Sequence, residues 1–179
     1  MAIKNPAPYR KIQIPYTRKS RVKSKAYIKA VPPQAVVKFV MGNSRKWNTN
    51  GFAYKIRIIA EKNAQIRDAA IEASRQQILR EITEQIGNDF YFAVSTYPHQ
   101  VLREHKQAAV AQADRMSQGM ALSFGRTAGR AAQVFRGHPI FTFGLNSEEA
   151  VSKLRKIYNI TKAKLPITTS LKVIKEKSA

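Results

Sequence analysis

Hydrophobic and polar positions change period several times along this chain, and each change marks an element. The run "QAVVKFV" (34–40) reads as a first strand closed by Met41-Gly42-Asn43. After the loop "SRKWNTNG" comes "FAYKIRIIA" (52–60), where Ala53, Lys55 and Arg57 alternate with Tyr54, Ile56 and Ile58. A period of two is the signature of a half-buried strand; Lys55 and Arg57 then face either solvent or phosphate. The period next shifts to that of a helix over 64–86, with Asn63 as its N-cap and Gly87 as its stop. At 100° per residue Ile71, Ile78, Leu79, Ile82 and Ile86 share one arc, and Glu72, Arg80, Glu81 and Glu84 lie outside it. Arg75 falls inside the arc, either snorkelling to its edge or reaching a partner.

Further strands are predicted at "FYFAVST" (90–96), "QVLRE" (100–104), "AAQVFR" (131–136) and "IFTFGL" (140–145), with a turn at Gly137-His138-Pro139. Ser147 caps a second helix, with Glu148 and Glu149 at its positive end and Val151, Leu154, Ile157 and Tyr158 as its apolar face. "LPITTSLKVI" (165–174) reads as a last strand. Two helices and about seven strands predict an α+β fold, helices packed on a mainly antiparallel sheet. The expected organisation is a basic arm over 1–30, one domain over 31–175 with a long internal loop at 106–130, and a short tail at 176–179.

Charge narrows the function. The 179 residues carry a net charge of +21 and a pI near 10.6, which self-repels unless a polyanion neutralises it. Met1 to Ala60 holds no acid against fourteen Lys or Arg, Glu61–Asp89 is nearly balanced, and Arg115–Ser147 again lacks acids. No apolar run approaches the ~18 residues that span a bilayer. Lys4, Pro6, Pro8, Arg10 and Lys11 break any signal-like stretch, and the basic N-terminus has no amphipathic moment. Nucleic acid, with no membrane, is therefore the expected partner. Residues 1–30 hold three prolines and nine bases but few large apolar side chains, so they are expected to order only on a partner. Tyr9, Tyr16 and Tyr27 among these bases either stack on RNA or tether the arm.

Candidate chemistry is sparse. Absent cysteine excludes disulfides and thiolate metal sites. His99, His105 and His138 lack metal-ligand spacing, and "GRTAGR" has the glycines of a phosphate loop without its spacing. Glu104 and Asp114 are the only acids between Gln100 and Asn146, too few for a metal-dependent nuclease. No enzyme activity, metal or cofactor is expected. The insertion 106–130 has alanines that suit a helix and Gly119, Gly125 and Gly129 that permit turns. It is either a plain surface loop or an RNA-contacting finger.

"YPHQVLREHK" (97–106), "ADRMSQGM" (113–120), "FG" (124–125) and Gly129 resemble the universal large-subunit ribosomal protein family called L-sixteen in bacteria and L-ten-e in archaea and eukaryotes, archaeal type. "YIKAVP" (27–32), "MGN" (41–43) and "AEKNAQIRDAAIEASR" (60–75) extend the resemblance in order along most of the chain. It implies an α/β sandwich with a hammerhead-like β motif and a structural role in the cytoplasmic large ribosomal subunit. It also implies contact with large-subunit ribosomal RNA near the aminoacyl-tRNA site, and a loop reaching toward the peptidyl-transferase centre. Residues Ala113, Asp114, Arg115, Met116, Gln118, Gly119 and Met120 would form that loop. Implied partners are aminoacyl-site and peptidyl-site tRNA, neighbouring large-subunit proteins and assembly factors.

Charge and resemblance together nominate Arg10, Lys11, Arg18, Lys19, Arg21, Lys23, Lys25, Arg45, Lys46, Trp47, Lys55, Arg57, Arg75, Arg103, His105, Lys106, Arg115, Arg126, Arg130 and Arg136 for RNA contact. The chain departs from the family pattern at Val110 and Gln112, where glycines are usual, at Ala121 for arginine, and at Arg126-Thr127 for Lys-Pro. A ribosome-associated regulatory RNA-binding factor is the alternative function.

Overall fold

The computed structural model describes residues 7–12, 24, 26, 28–104 and 124–175. Among them are eight strands: β1 (Val40–Gly42), β2 (Tyr54–Ala60), β3 (Ala64–Arg67), β4 (Tyr91–Val94), β5 (Gln100–Glu104), β6 (Arg126–Val134), β7 (Pro139–Leu145) and β8 (Thr169–Lys175). Three α-helices accompany them: α1 (Ser44–Asn48), α2 (Asp68–Ile86) and α3 (Glu148–Thr161). The α+β class is as the periodicity implies, but the strands divide into two sheets rather than one. Their orders are β1-β4-β7-β2-β8 and β3-β6-β5, and every pairing is antiparallel.

A corner joins the two sheets. β2 runs into β3 and β6 into β7, so both chain pairs pass from one sheet to the other at the same place. There the Ala60 amide donates to the His138 carbonyl at 3.0 Å and the Gly137 amide to the Ala60 carbonyl at 2.8 Å. Gly137 takes φ +87°, a conformation open to glycine at no steric cost. One buried cluster then combines Ile71, Ile78 and Ile82 of α2, Val151, Leu154 and Ile157 of α3, and the inward side chains Ile56, Ile58, Phe92, Phe141, Phe143 and Leu145. Phe92 and Phe143 stack at 4.8 Å.

Several boundaries differ from the sequence reading. The first strand is only Val40–Gly42; residues 34–39 are an extended strap. Its alternate amides find carboxylates instead of a neighbouring strand: Ala35 N–H donates to Asp68 Oδ2 (3.0 Å) and Val37 N–H to Glu72 Oε2 (3.3 Å). The helix predicted over 64–86 begins at Asp68, because Ala64–Arg67 pairs with β6 as β3. Asn63 does not cap it; its side chain accepts from the Arg136 amide at the corner. The short α1 was unsigned by periodicity, yet Asn43 caps it by accepting from Lys46 N–H at 3.0 Å. β6 starts five residues earlier than expected, so 126–130 belongs to a strand rather than the loop. That half of β6 pairs with β5 and is only half-buried, which leaves it no apolar alternation to read. β8 begins four residues late, after a 3-10 turn at Lys162–Lys164.

Residues 7–12 of the arm are docked. Ala7–Arg10 forms a 3-10 helix; the Gln65 amide donates to the Tyr9 carbonyl at 2.9 Å, and the Tyr9 hydroxyl donates to the Arg103 carbonyl at 2.9 Å. For Tyr9 the tethering reading is therefore the one observed, and Ala26 and Ile28 are also buried. These few anchors supply what the arm's composition lacks on average. Tyr16 and Tyr27 lie outside the described residues.

Arg75 neither snorkels nor reaches outward. It is 6% exposed and Glu72, placed outside the apolar arc by sequence, is 7% exposed. The guanidinium grips Glu72 through Nε–Oε2 (2.7 Å) and Nη2–Oε1 (2.6 Å). Gln76 and the Val37 amide complete the carboxylate's partners, and Nη1 meets Met41 Sδ at 3.2 Å. A buried pair is tolerable because each guanidinium nitrogen and each carboxylate oxygen has a hydrogen-bond partner; removing one member strands the other. Hydrogen bonding from Arg75 holds the Glu72 carboxyl below its ordinary 4.5, against the opposing effect of burial.

Arg75→Ala is expected to destabilise the chain by about 3–5 kcal/mol in urea unfolding. Because the folded-state value is lowered, the stabilisation from Glu72 is complete above its ordinary value and drains as pH falls through the lowered one. The stability gap between the parent chain and Glu72→Gln should therefore be widest near neutral pH and shrink in acid. A gap that widened in acid would contradict the pairing.

Candidate nucleic-acid interface

The long insertion is held at its two ends. β5 and β6 pair from Gln100↔Ala131 to Glu104↔Arg126, with a register shift between Leu102 and Arg103. At the last rung the Arg103 guanidinium lies 4.0 Å from the Phe124 ring centre, close enough for a cation–π contact. A Cβ on Gly125 would come within 3.1–3.2 Å of the Glu104 backbone, so a side chain here requires that backbone to shift by a few tenths of an ångström. Tyr9 braces the same place through the Arg103 carbonyl. Burial, and then the Glu104 carboxylate, push the Tyr9 phenol above its usual range, which keeps the hydroxyl protonated as the donor. Glu104 and Arg126, which flank the insertion, thus lie side by side on one ladder.

Besides Arg103, already placed against Phe124, the nominated residues fall into four groups. Arg10, Lys11, Arg45, Arg57, Arg126 and Arg136 are exposed. Register places Lys55 and Arg57 on the sheet face away from the helices, where Arg57 lies opposite Lys172 and Lys55 opposite Ile174. A second group is committed to the protein. Lys46 pairs with Asp89 at 2.9 Å. Trp47 stacks on Tyr91 at 4.3 Å, and Lys55 Nζ sits 5.2 Å from its ring centre while donating to Asn50. Arg130 donates through Nε to the Pro32 carbonyl at 2.6 Å, tethered to the segment that leads into the strap.

Arg75 is the clear correction: buried in its carboxylate pair, it offers no surface to a phosphate. Arg18, Lys19, Arg21, Lys23, Lys25, His105, Lys106, Ala113, Asp114, Arg115, Met116, Gln118, Gly119 and Met120 lie outside the described residues.

Sequence reasoning passed over Lys62, Arg67, Lys162, Lys164 and Lys172. Lys62 and Arg67 sit in the segment with balanced charge, and "KAK" (162–164) reads as an ordinary helix end. The neglected signal was that the two carboxylates nearest Arg67, Asp68 and Glu72, are occupied by the strap. The α2 surface keeps its charge internally compensated, with Arg80 facing Glu81 and Glu84 at 3.4 and 3.9 Å. Such exposed pairs contribute little stability, but they leave this face nearly neutral beside a basic remainder. Among the described residues no cluster of His, Asp or Glu could hold a metal ion, and no helix is long and apolar enough to cross a membrane.

Among the described residues the α+β body turns an excess of cations outward, the make-up of a polyanion-binding class. The model of the family described as ribosomal protein L16p/L10e matches residues 13–172, and the chain belongs to that family. Its members are ribosomal proteins with a structural, non-enzymatic role. Among similar proteins is the large ribosomal subunit protein uL16 of Nanoarchaeum equitans, 36% identical over 95% of this chain and 92% of the relative. The uL16 of Methanococcus maripaludis strain S2 is 37% identical over 99% and 97%. That of Thermoplasma acidophilum is 40% identical over 89% and 84%.

Gly125→Ala should push the Glu104 backbone away and cost about 1–3 kcal/mol, as overpacking does. Hydrogen exchange should accelerate at the Glu104 and Arg126 end of the ladder while the Ile56 and Phe143 amides stay protected. Unchanged exchange at that end would show that the close approach is not needed.

Proposed function

We propose that this chain works as a structural constituent of the large ribosomal subunit in the cytoplasm, seated on large-subunit ribosomal RNA near the aminoacyl-tRNA site. The loop between β5 and β6 extends toward the peptidyl-transferase centre and helps position tRNA in the aminoacyl and peptidyl sites. The observation that carries this reading is the β5–β6 ladder: it delivers both ends of the acid-poor insertion side by side from a basic body. A probe that must enter a folded polyanion needs a rigid root, and the Tyr9, Arg103 and Phe124 contacts supply one. Phosphate contacts made by exposed arginines and lysines position the body without reading sequence. The compensated face of α2 remains for neighbouring large-subunit proteins and assembly factors. Residues 1–30 serve as an RNA-binding arm, anchored to the body at Tyr9.

Two measurements test this. If ten cations meet phosphates, log K for a domain-sized ribosomal RNA fragment should fall by roughly 7–9 per tenfold rise in salt; a slope near zero would contradict phosphate-led binding. Replacing residues 109–120 by a glycine-serine linker should leave one copy of the chain on each salt-washed large subunit while slowing aminoacyl-tRNA accommodation at least tenfold. Normal accommodation would refute the role of the loop, and loss of the unaltered chain in the wash would favour a visiting factor.

A further inference from the structure

Three segments far apart in sequence meet in a groove on the side of the corner: the arm at Arg10 and Lys11, the β2–β3 connection at Lys62, and the end of α3 at Lys162. The main lobe has a volume of about 750 Å³ and is lined by those four cations together with neutral residues. A smaller lobe of about 210 Å³ continues from it past Arg10 and Pro166, adding Arg67 and Lys164. No acidic side chain among the described residues lines either lobe. Among the described residues none of the six cations is in an ion pair, and Lys162 donates only to the neutral Asn159 side chain.

The walls are fixed before any ligand arrives. Glu61 N–H donates to the Thr168 carbonyl at 3.1 Å, tying the β2–β3 connection to the approach of β8. The Tyr158 hydroxyl donates to the Thr169 carbonyl, fastening α3 to the same strand. Gln65 is 2% exposed and its amide holds the Tyr9 carbonyl, which locks the arm's side of the groove. Like charges brought together on rigid walls raise the free energy of the unbound chain, and an anionic partner relieves it. Six cations spread over two adjoining lobes match a chain of phosphates better than a single small anion, which two or three of them could satisfy.

We infer that this groove seats a stretch of RNA backbone, a second phosphate-binding site separate from the root of the loop. The inference rests on the proposed function, because the RNA it names is the large-subunit RNA. The groove gathers cations from the arm, the corner and α3, so RNA bound in it locks the docked position of residues 7–12. It supplies affinity and orientation rather than base readout, since its charged side chains address phosphates.

The test compares two triple variants with the same loss of charge. Arg10→Ala, Lys62→Ala and Lys162→Ala together remove the groove; Arg80→Ala, Arg155→Ala and Lys156→Ala together remove three exposed helix cations outside it. Binding to a domain-sized fragment of large-subunit ribosomal RNA is measured by filter retention between 0.1 and 1 M salt. At about 0.7 released counterions per single-strand phosphate contact, the groove variant should lose about 2 from its salt slope and bind about 100-fold more weakly at 0.1 M salt. The control should change less than fivefold. Arg10→Lys, Lys62→Arg and Lys162→Arg together should restore binding, which a folding defect would not allow. Equal losses in the groove variant and control, or no rescue, would overturn the groove and leave the ribosomal reading standing. No binding by the unaltered chain would overturn both.

Discussion

Everything in this molecule hangs on the corner where β2 turns into β3 and β6 into β7. Two antiparallel strand pairs change sheets together, held by the Ala60, Gly137 and His138 backbone bonds. On one side the strands lie under α2 and α3 and bury the aromatic core. On the other, β6 carries the ladder that roots the insertion. Because both sheets share continuous backbone, the orientation of the insertion's root follows from packing far from it. The corner also exposes Lys62 beside the approach of β8, so the same turn that directs the loop builds one wall of the basic groove.

Charge is managed by location. The acids Asp68 and Glu72 are spent on internal bonds to the strap and to Arg75, and Asp89 holds Lys46. Glu81 and Glu84 answer Arg80 on α2. The cations at the groove and on the outer sheet face have no such answer among the described residues of their linings or registers, whereas Arg126 on β6 lies opposite Glu104. A chain with +21 charges thus keeps one nearly neutral face and turns much of its excess outward, which suits a component built into RNA on one side and met by proteins on another.

The apolar periodicities were strong enough to locate β2, β4, β5, β7 and α3 closely, because each buries one face against a continuous core. They failed where side chains rather than strands satisfy the backbone. The strap at 34–39 reads as a strand by its apolar run, but its Ala35 and Val37 amides bond to carboxylates of α2. "AQIR" (64–67) continues the helical composition of its successor, and only long-range pairing with β6 makes it β3. The first half of β6 has an edge partner and little burial, so its Gly-Arg-Thr composition reads as loop. For the candidate site, charge segregation was legible and the family motifs marked the insertion. Which cations are free was not legible, since Lys46 and Arg130 are held by residues distant in sequence, and the Arg75–Glu72 pair, three residues apart, is buried only by tertiary packing. The groove cations Lys62 and Lys162, 100 positions apart, become neighbours only through the corner.

Directed hydroxyl-radical probing tests this charge geography most directly, and the absence of native cysteine makes it practicable. Iron chelates would be tethered to single cysteines introduced at Lys62, Thr127 and Glu84, and each protein assembled into large subunits. Strong, localised cleavage of ribosomal RNA from the first two positions and little from Glu84 on α2 is the predicted result. Equal cleavage from all three, or cleavage from Glu84 alone, would contradict it.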